Sequence, residues 1–113
     1  MSFMKGTHLG EFEELVLLTI ASLVNGAYSV SICDELSEHT GRTVKLGVVH
    51  AVLNRLEEKG LVKSELGEAT ATRGGKRKRF YTITGTGKVS LTRAKEIRDR
   101  LWQKIPHLAL KHT

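Results

Sequence analysis

The sequence predicts a mainly α fold with one small β-hairpin, an α+β protein. Apolar residues recur at helical spacing in four segments, the pattern of helices that bury one face. Between the third and fourth segments, two short β-rich runs flank a glycine-containing loop, as in a hairpin. Its stretch at residues 73–79 carries five cations and no acid: Arg73, Lys76, Arg77, Lys78 and Arg79. A helix followed by a cationic hairpin is the layout of a winged helix-turn-helix, here with one further C-terminal helix.

The first helix is expected at residues 10–25, after a flexible arm at residues 1–9. Its apolar residues cover most of its circumference, so it should be largely buried. They are Phe12, Leu15, Val16, Leu18, Ile20, Leu23 and Val24. Acids at positions 11, 13 and 14 suit the positive end of the helix dipole. Asn25 and Gly26 should end the helix.

The second helix is expected at residues 29–39, with Ser29 as its N-cap and Thr40-Gly41 as its end. Its buried stripe consists of Ile32, Cys33 and Leu36. The third helix should span residues 46–59. Its inward residues follow the i, i+3, i+4, i+7 rule and are Val49, Val52, Leu53 and Leu56. Gly60 is placed for the left-handed C-terminal position, with Leu61 folding back on the helix.

The hairpin is expected to pair residues 61–66 with residues 79–84, with Gly74-Gly75 at its tip. The last helix should begin between Thr84 and Gly87 and continue to about residue 104, before Pro106 prevents continuation. Its apolar stripe consists of Leu91, Ala94, Ile97, Leu101, Trp102 and Ile105. This stripe has no obvious mate in so small a domain, so we expect a second copy to cover it. Such a homodimer would repeat the third helix about 34 Å away.

Charge is unevenly distributed along the chain, whose net charge is +6. Residues 1–40 hold one lysine and six acids (1 − 6 = −5), whereas residues 41–113 hold 17 cations and six acids (17 − 6 = +11). A polyanion would be attracted to the second part only. A solubilising charge without a partner is the alternative interpretation, and the segregation argues against it.

The outward face of the third helix carries the candidate base-reading residues. With Lys45 at the helix entry, they are Gly47, Val48, His50, Ala51, Asn54 and Arg55. Asparagine can read adenine and arginine can read guanine, while small residues allow close approach to a groove. The five loop cations would contact phosphate, with sequence information only if an arginine enters the minor groove. Double-stranded DNA is therefore the expected partner; the alternative is a winged helix that binds protein without DNA.

Signals for an enzyme, a cofactor or a membrane span are absent from the sequence. The five histidines show no metal-ligand spacing, and no phosphate-binding GxxxxGK[ST] motif occurs. Residues 85–87 are expected to open the last helix, and Cys33 to be a core residue rather than a nucleophile. A single cysteine, no signal-peptide pattern and short apolar runs predict a soluble cytoplasmic protein. Trp102 is interpreted either as a packing or dimer anchor, or as part of an aromatic ligand pocket.

Four runs of sequence resemble the PadR-type transcriptional regulators. They are GEFEELVLL at 10–18, AYSVSI at 27–32, GVVHAVLNRLEEKGLV at 47–62 and RFYTITxxG at 79–87. The resemblance spans about residues 9–102, and its single last helix is similar to the short subfamily. Ser29 stands where the family usually has glycine, and His50 where it usually has tyrosine. These departures leave the expected fold unchanged and bear on the operator.

The resemblance implies a different role for each of three segments of the chain. Residues 1–84 would bind DNA, residues 85–105 would form the dimerisation helix, and residues 106–113 would be a tail. It also implies a homodimeric repressor that binds a pseudo-palindromic operator and is released, in some members, by a small aromatic or drug-like ligand.

Overall fold

The computed structural model describes residues 9–67 and 77–107. Its elements are α1 (Glu11–Ser22), α2 (Ser29–Thr40), α3 (Leu46–Glu58), β1 (Val62–Leu66), β2 (Arg79–Ile83) and α4 (Gly85–Lys104). The first three helices pack on one another, the hairpin follows α3, and α4 contacts α1 and β2. The predicted mainly α fold with one hairpin is confirmed, including its winged helix-turn-helix arrangement.

The core lies between α1, α2 and α3 and is closed by the base of the hairpin. All four inward residues predicted on α3 are fully or almost fully buried. Leu61, Val62 and Tyr81 extend the same cluster into the hairpin. Burying this face of α3 leaves its opposite face free for another partner.

The first helix is shorter than the sequence predicts, because it ends at Ser22 rather than at residue 25. Leu23 donates the last helical hydrogen bond, and Gly26 then donates to the carbonyl of Leu23 in a turn at 2.8 Å. Asn25 adopts a φ of 62°, which asparagine tolerates better than most residues. Val24 was expected on the buried side but is 76% exposed, since it lies in this turn.

The predicted N-cap of α2 is also wrong by one residue. Ser29 is the first helical residue, and Tyr28 occupies the cap position. The hydroxyl of Ser31 accepts a hydrogen bond from the Tyr28 N–H at 2.9 Å and donates to the Gly26 carbonyl at 2.6 Å. A serine inside the first turn therefore stabilises this helix start, where the sequence suggested a serine in front of it.

The end of α3 turns sharply into β1, as the sequence predicts. Gly60 has a φ of 74°, a conformation that favours glycine. Its N–H donates to Glu57, and the N–H of Leu61 donates to Leu56 at 2.9 Å. This pair of hydrogen bonds is the Schellman arrangement, which satisfies carbonyls that the helix end would leave unpaired.

The start of α4 is fastened to that same turn by Thr84. Its N–H donates to the Leu61 carbonyl at 3.0 Å, and its hydroxyl donates to the Gly60 carbonyl at 2.7 Å. The hydroxyl also accepts from the Gly87 N–H at 3.0 Å, which caps α4. A Cβ atom on Gly87 would overlap the Leu61 carbonyl oxygen and lie 2.7 Å from Cγ1 of Ile83.

Two adjacent acids on α1 hold the helices on either side of it. Glu13 accepts from the Gly10 N–H at 2.9 Å and from Nζ of Lys59, at the end of α3, at 2.9 and 3.0 Å. Glu14 accepts two hydrogen bonds from the guanidinium of Arg98 on α4, at 2.8 and 3.1 Å. Successive helical residues point about 100° apart, so neighbouring carboxylates can reach two different helices.

We expect Gly87→Ala to destabilise the fold by about 1–3 kcal/mol, since the added methyl group has no room against the Leu61 backbone. Gly85→Ala is the matched control in the same turn of α4, because its Cβ would meet nothing within 4 Å. That variant should be unchanged or more stable by up to about 1 kcal/mol. Urea unfolding measures both, and equal stability of the two variants would contradict the close approach.

We expect Glu13 to make the stability dependent on pH in the acid range. Burial raises the pKa of Glu13, but the Gly10 N–H, Lys59 and Arg55 outweigh it and hold that pKa below the usual value of a glutamate side chain. The stabilisation is therefore present above about pH 4.5 and is lost as pH falls through the lower pKa of the folded state.

Urea unfolding between about pH 7 and about pH 3 should show a loss on the order of 1 kcal/mol that Glu13→Gln lacks. Glu11→Gln, at an exposed position in the same turn, is the control and should follow the parent chain. An acid-range slope that Glu13→Gln leaves intact would assign the effect to other groups.

Candidate nucleic-acid interface

The outward face of α3 is fully accessible. Every residue predicted there is exposed: Lys45, Gly47, Val48, His50, Ala51, Asn54 and Arg55. Lys45 occupies the N-cap position, and the space around Gly47 is open for at least 4 Å from its ideal Cβ position. Small residues at positions 47 and 51 therefore leave the helix backbone approachable between longer polar side chains.

A cleft of about 460 Å³ joins this face to the base of the hairpin. Its lining residues come from α3 (His50, Asn54 and Glu57), from the hairpin (Arg77, Lys78, Arg79 and Tyr81) and from the start of α2 (Tyr28, Ser29 and Val30). The structure thus brings two of the predicted base-reading side chains, His50 and Asn54, together with three of the five predicted loop cations. The other two, Arg73 and Lys76, lie outside the described residues.

The cations reach the cleft on a backbone that is held on both sides. β2 pairs with β1 in antiparallel register, and its Tyr81 N–H donates to the Ala27 carbonyl at 2.8 Å on the other side. At the open end of the hairpin, Gly67 N–H donates to the Lys78 carbonyl at 2.7 Å, and Nε of Arg77 donates to the Gly67 carbonyl at 2.9 Å. The expectation that the hairpin fixes its cations is confirmed for residues 77–79.

Tyr28 is a residue of this cleft that the sequence did not single out. The ammonium of Lys78 lies 4.2 Å from the centre of its ring, and Phe80 packs edge-on against the ring at 5.6 Å. A cation over an aromatic face is attracted by the ring quadrupole. Tyr28 therefore orients Lys78 inside the cleft, a contact between residues 50 positions apart that no local pattern reveals.

One acid also lines the cleft. Glu57 accepts a hydrogen bond from the Ser64 hydroxyl at 2.7 Å, and Ser64 in turn accepts one from Arg79 at 3.2 Å. Burial, together with the charge of Glu57, raises the pKa of Tyr81 against the opposing effect of Arg79. The Tyr81 hydroxyl is therefore protonated at neutral pH, and it adds no negative charge to the cleft.

Arg55 lies on the other side of α3, away from the hairpin. Its Nε is 3.6 Å from Oε2 of Glu13, and its side chain is 54% exposed. Arg55 is thus shared between the surface and the internal ion pair of Glu13 with Lys59. Among the predicted base-reading residues it differs from Asn54, which lines the cleft itself.

The apolar stripe of α4 is largely unburied in the isolated chain. Leu91 and Ala94 are half-buried, whereas Ile97, Leu101 and Trp102 are 52%, 60% and 60% exposed. Ile105 is also exposed, at 36%. A second cleft of about 420 Å³ lies between α1 and α4 and is lined by Glu14, Leu18, Leu91, Thr92, Lys95, Arg98, Asp99 and Trp102.

Neither a metal-binding cluster nor a membrane-spanning helix is present among residues 9–67 and 77–107. Nowhere in these ranges do three or more His, Cys, Asp or Glu side chains form a group that could hold a metal ion. Likewise, none of the described helices is both long and apolar enough to cross a membrane.

A family profile and several solved structures indicate the same family. The profile of the transcriptional regulator PadR-like family matches residues 17–93. An uncharacterized protein of Lysinibacillus sphaericus is 33% identical over 85 residues, which are 74% of this chain and 73% of that protein.

Among solved structures, a PadR-like transcriptional regulator from Bacillus cereus superposes with a TM-score of 0.70 at 21% identity, covering 89% of this chain and 93% of that chain. A PadR family transcription regulator from Clostridium difficile gives 0.65 at 25% identity, covering 90% and 100%. The first likeness shows the fold, since its sequence identity is low.

Proposed function

We propose, because this chain belongs to the PadR-like family of transcriptional regulators, that it binds one operator sequence in double-stranded DNA and represses transcription as a homodimer. The family is one of DNA-binding regulators rather than enzymes. The proposal covers the sequence specificity, the direction of regulation, the assembly of the protein and a small-molecule effector.

The cleft between α3 and the hairpin is the observation that supports DNA binding most strongly. It places hydrogen-bonding side chains of an exposed helix beside cations on a fixed backbone. Base edges in the major groove require the first, and phosphates require the second. In this proposal His50 and Asn54 face bases, and Arg77, Lys78 and Arg79 face phosphate or the minor groove, with Arg73 and Lys76 extending the same loop.

The remaining exposed residues of α3 belong to the same proposed contact. Gly47 and Ala51 admit the helix to the groove, and Val48 offers an apolar contact to a thymine methyl group. Lys45 contacts phosphate. Arg55 reads guanine only if its guanidinium can bind DNA while its Nε stays beside Glu13.

The exposed stripe of α4 supports a homodimer. Residues 85–105 would supply the dimer contact and residues 1–84 the DNA contact. Leu91, Ala94, Ile97, Leu101, Trp102 and Ile105 are the proposed interface residues. Two copies would repeat α3 about one DNA turn apart and so read a pseudo-palindromic operator. Repression requires no additional protein surface, because a dimer bound at a promoter excludes polymerase sterically. The proposed location of the protein is the cytoplasm.

A small planar aromatic effector is the last part of the proposal. The cleft between α1 and α4 contains the exposed ring of Trp102, on which such a compound could stack. A purely packing role of Trp102 in the dimer is the alternative, and the two roles are compatible.

Selecting bound duplexes from a random library at two salt concentrations tests DNA binding, half-site symmetry and specificity together. Enrichment of a two-fold symmetric sequence is expected. A chain that binds no duplex at either salt concentration, yet binds a protein partner independently of salt, would instead be a protein-interaction module.

We expect Asn54→Ala to weaken binding to the selected duplex by about 10-fold or more and binding to random duplex only slightly, since a lost base contact costs about 1–3 kcal/mol. Gln103→Ala removes another exposed amide, one that lines neither cleft, and should change neither affinity. Fluorescence anisotropy titrations measure both duplexes. Equal losses on both duplexes for Asn54→Ala would exclude it as a base-reading residue.

We expect Leu101→Glu to convert the dimer to a monomer, because a charge would be buried in the apolar interface. Loss of two-site binding should then weaken operator affinity by about 100-fold or more. Leu66→Glu is the control for the mass alone, because it changes an exposed leucine that pairs with Arg79 in the hairpin rather than one on α4. Sedimentation velocity gives the masses, and a Leu101→Glu variant that remains dimeric would rule out this interface.

We expect some planar aromatic compounds to quench the tryptophan emission and to release DNA at the same concentrations. Trp102 is the single tryptophan of the chain, so this emission reports on one site. Free tryptophan amide, titrated with the same compounds, controls for absorption of the exciting light. Emission that stays constant across the panel would leave Trp102 with a packing role alone.

A further inference from the structure

A second groove lies on the flank of α3 opposite the hairpin. It has a volume of about 290 Å³ and is lined by Phe12, Arg42, Thr43, Val44, Lys45 and Val48. Val48 and His50 are two residues apart, so they point about 160° away from each other around the helix axis. The hairpin-side cleft and this groove therefore run along opposite sides of α3. The cleft lies below the hairpin, and the groove lies between α1 and the α2–α3 turn.

The turn that forms this groove, residues 41–45, is held by hydrogen bonds to α2. The N–H of Gly41 donates to the Ser37 carbonyl at 3.1 Å, and the N–H of Val44 donates to the Ser37 hydroxyl at 3.1 Å. The thiol of Cys33 donates to the Val44 carbonyl at 2.9 Å. Among the described residues, Arg42 is held through its backbone, whose N–H donates to the Thr40 hydroxyl at 3.3 Å.

The groove is electrostatically simpler than the cleft on the hairpin side. Arg42, Thr43 and Lys45 are exposed, and no carboxylate is among the lining residues. The hairpin-side cleft, in contrast, includes Glu57. A fixed backbone that presents two cations and a hydroxyl, without a competing acid, suits an anion with several oxygens.

The dimensions of duplex DNA explain why a reading helix needs cations on both flanks. The major groove is about 12 Å wide, and a helix with its side chains has a diameter of about 10–12 Å. A helix that enters the groove therefore lies between two phosphate strands, one on each side. Arg77, Lys78 and Arg79 lie on the hairpin side of α3 and therefore face the strand on that side.

We propose that Arg42 and Thr43, together with Lys45, bind phosphates of the DNA strand across the major groove from the strand that the hairpin contacts. This inference rests on the proposed function and adds a second phosphate site to it. Arg42 and Thr43 carry no base information in this arrangement. They fix the depth and tilt of α3 in the groove, so that His50 and Asn54 meet base edges.

The test compares Arg42→Ala with Lys78→Ala, using Arg100→Ala as an exposed α4 control that lines neither groove. Affinities for the selected duplex and for a random duplex are measured over a series of potassium chloride concentrations. We expect Arg42→Ala to weaken both by about 3- to 10-fold and to reduce the salt slope by about 1.8, since each of the two protomers loses one phosphate contact. Arg100→Ala should change neither quantity.

Duplexes with single uncharged methylphosphonates, placed in turn along each strand, locate the contacts. The parent chain should lose affinity for substitutions on both strands. Within one half-site, Arg42→Ala should become insensitive at one or two positions on one strand, and Lys78→Ala at positions on the opposite strand. Two-fold symmetry repeats this pattern in the other half-site with the strands exchanged. Circular dichroism melting should show that Arg42→Ala is folded, because the side chain carries no hydrogen bond to a described residue.

The outcomes separate this inference from the function on which it rests. Absence of any duplex binding by the parent chain would overturn both. Selective duplex binding that Arg42→Ala leaves unchanged, in affinity and salt slope, would overturn the second phosphate site alone. Insensitivity of both variants on the same strand of one half-site would do the same.

Discussion

The backbone of Gly60 and Leu61 is the point on which the arrangement of the other elements depends. It ends α3 through two hydrogen bonds, begins β1, and accepts both hydrogen bonds that Thr84 donates from the start of α4. Gly87 then packs directly on the Leu61 carbonyl. α3, the base of the hairpin and α4 therefore leave one small, hydrogen-bonded turn in fixed directions.

Ion pairs across α1 complete this frame, and they explain why charge segregation along the chain does not become charge segregation in space. Glu13 and Glu14 belong to the acidic first 40 residues, yet they pair with Lys59 and Arg98 of the basic part. These pairs place carboxylates beside two of the cations. Other cations stay exposed beside α3, at Arg42, Lys45 and residues 77–79, and also along α4.

Most of the fold could be predicted because its signals are local. The spacing of Val49, Val52, Leu53 and Leu56 identifies the buried face of α3, and hence the exposed one. Gly60 marks the end of the helix for a reason of backbone sterics. The local pattern gave a wrong cap at the start of α2, where two serines lie close to the first turn. Ser31, rather than Ser29, accepts the hydrogen bond that stabilises this turn.

The candidate site could be predicted only in part, for a different physical reason. Periodicity shows which residues of α3 face outward, but it does not show which of them share a cleft with the hairpin. Tyr28 beneath Lys78 and Arg55 beside Glu13 are contacts between distant parts of the chain.

α4 leaves the turn at Gly60 and Leu61 in a fixed direction. In a dimer built on α4, the two reading helices have one separation and one phase, and each base pair inserted between half-sites shifts the second by about 3.4 Å and about a tenth of a turn. The operator of such a protein must therefore keep the spacer length between its half-sites as constant as the base sequence of the half-sites.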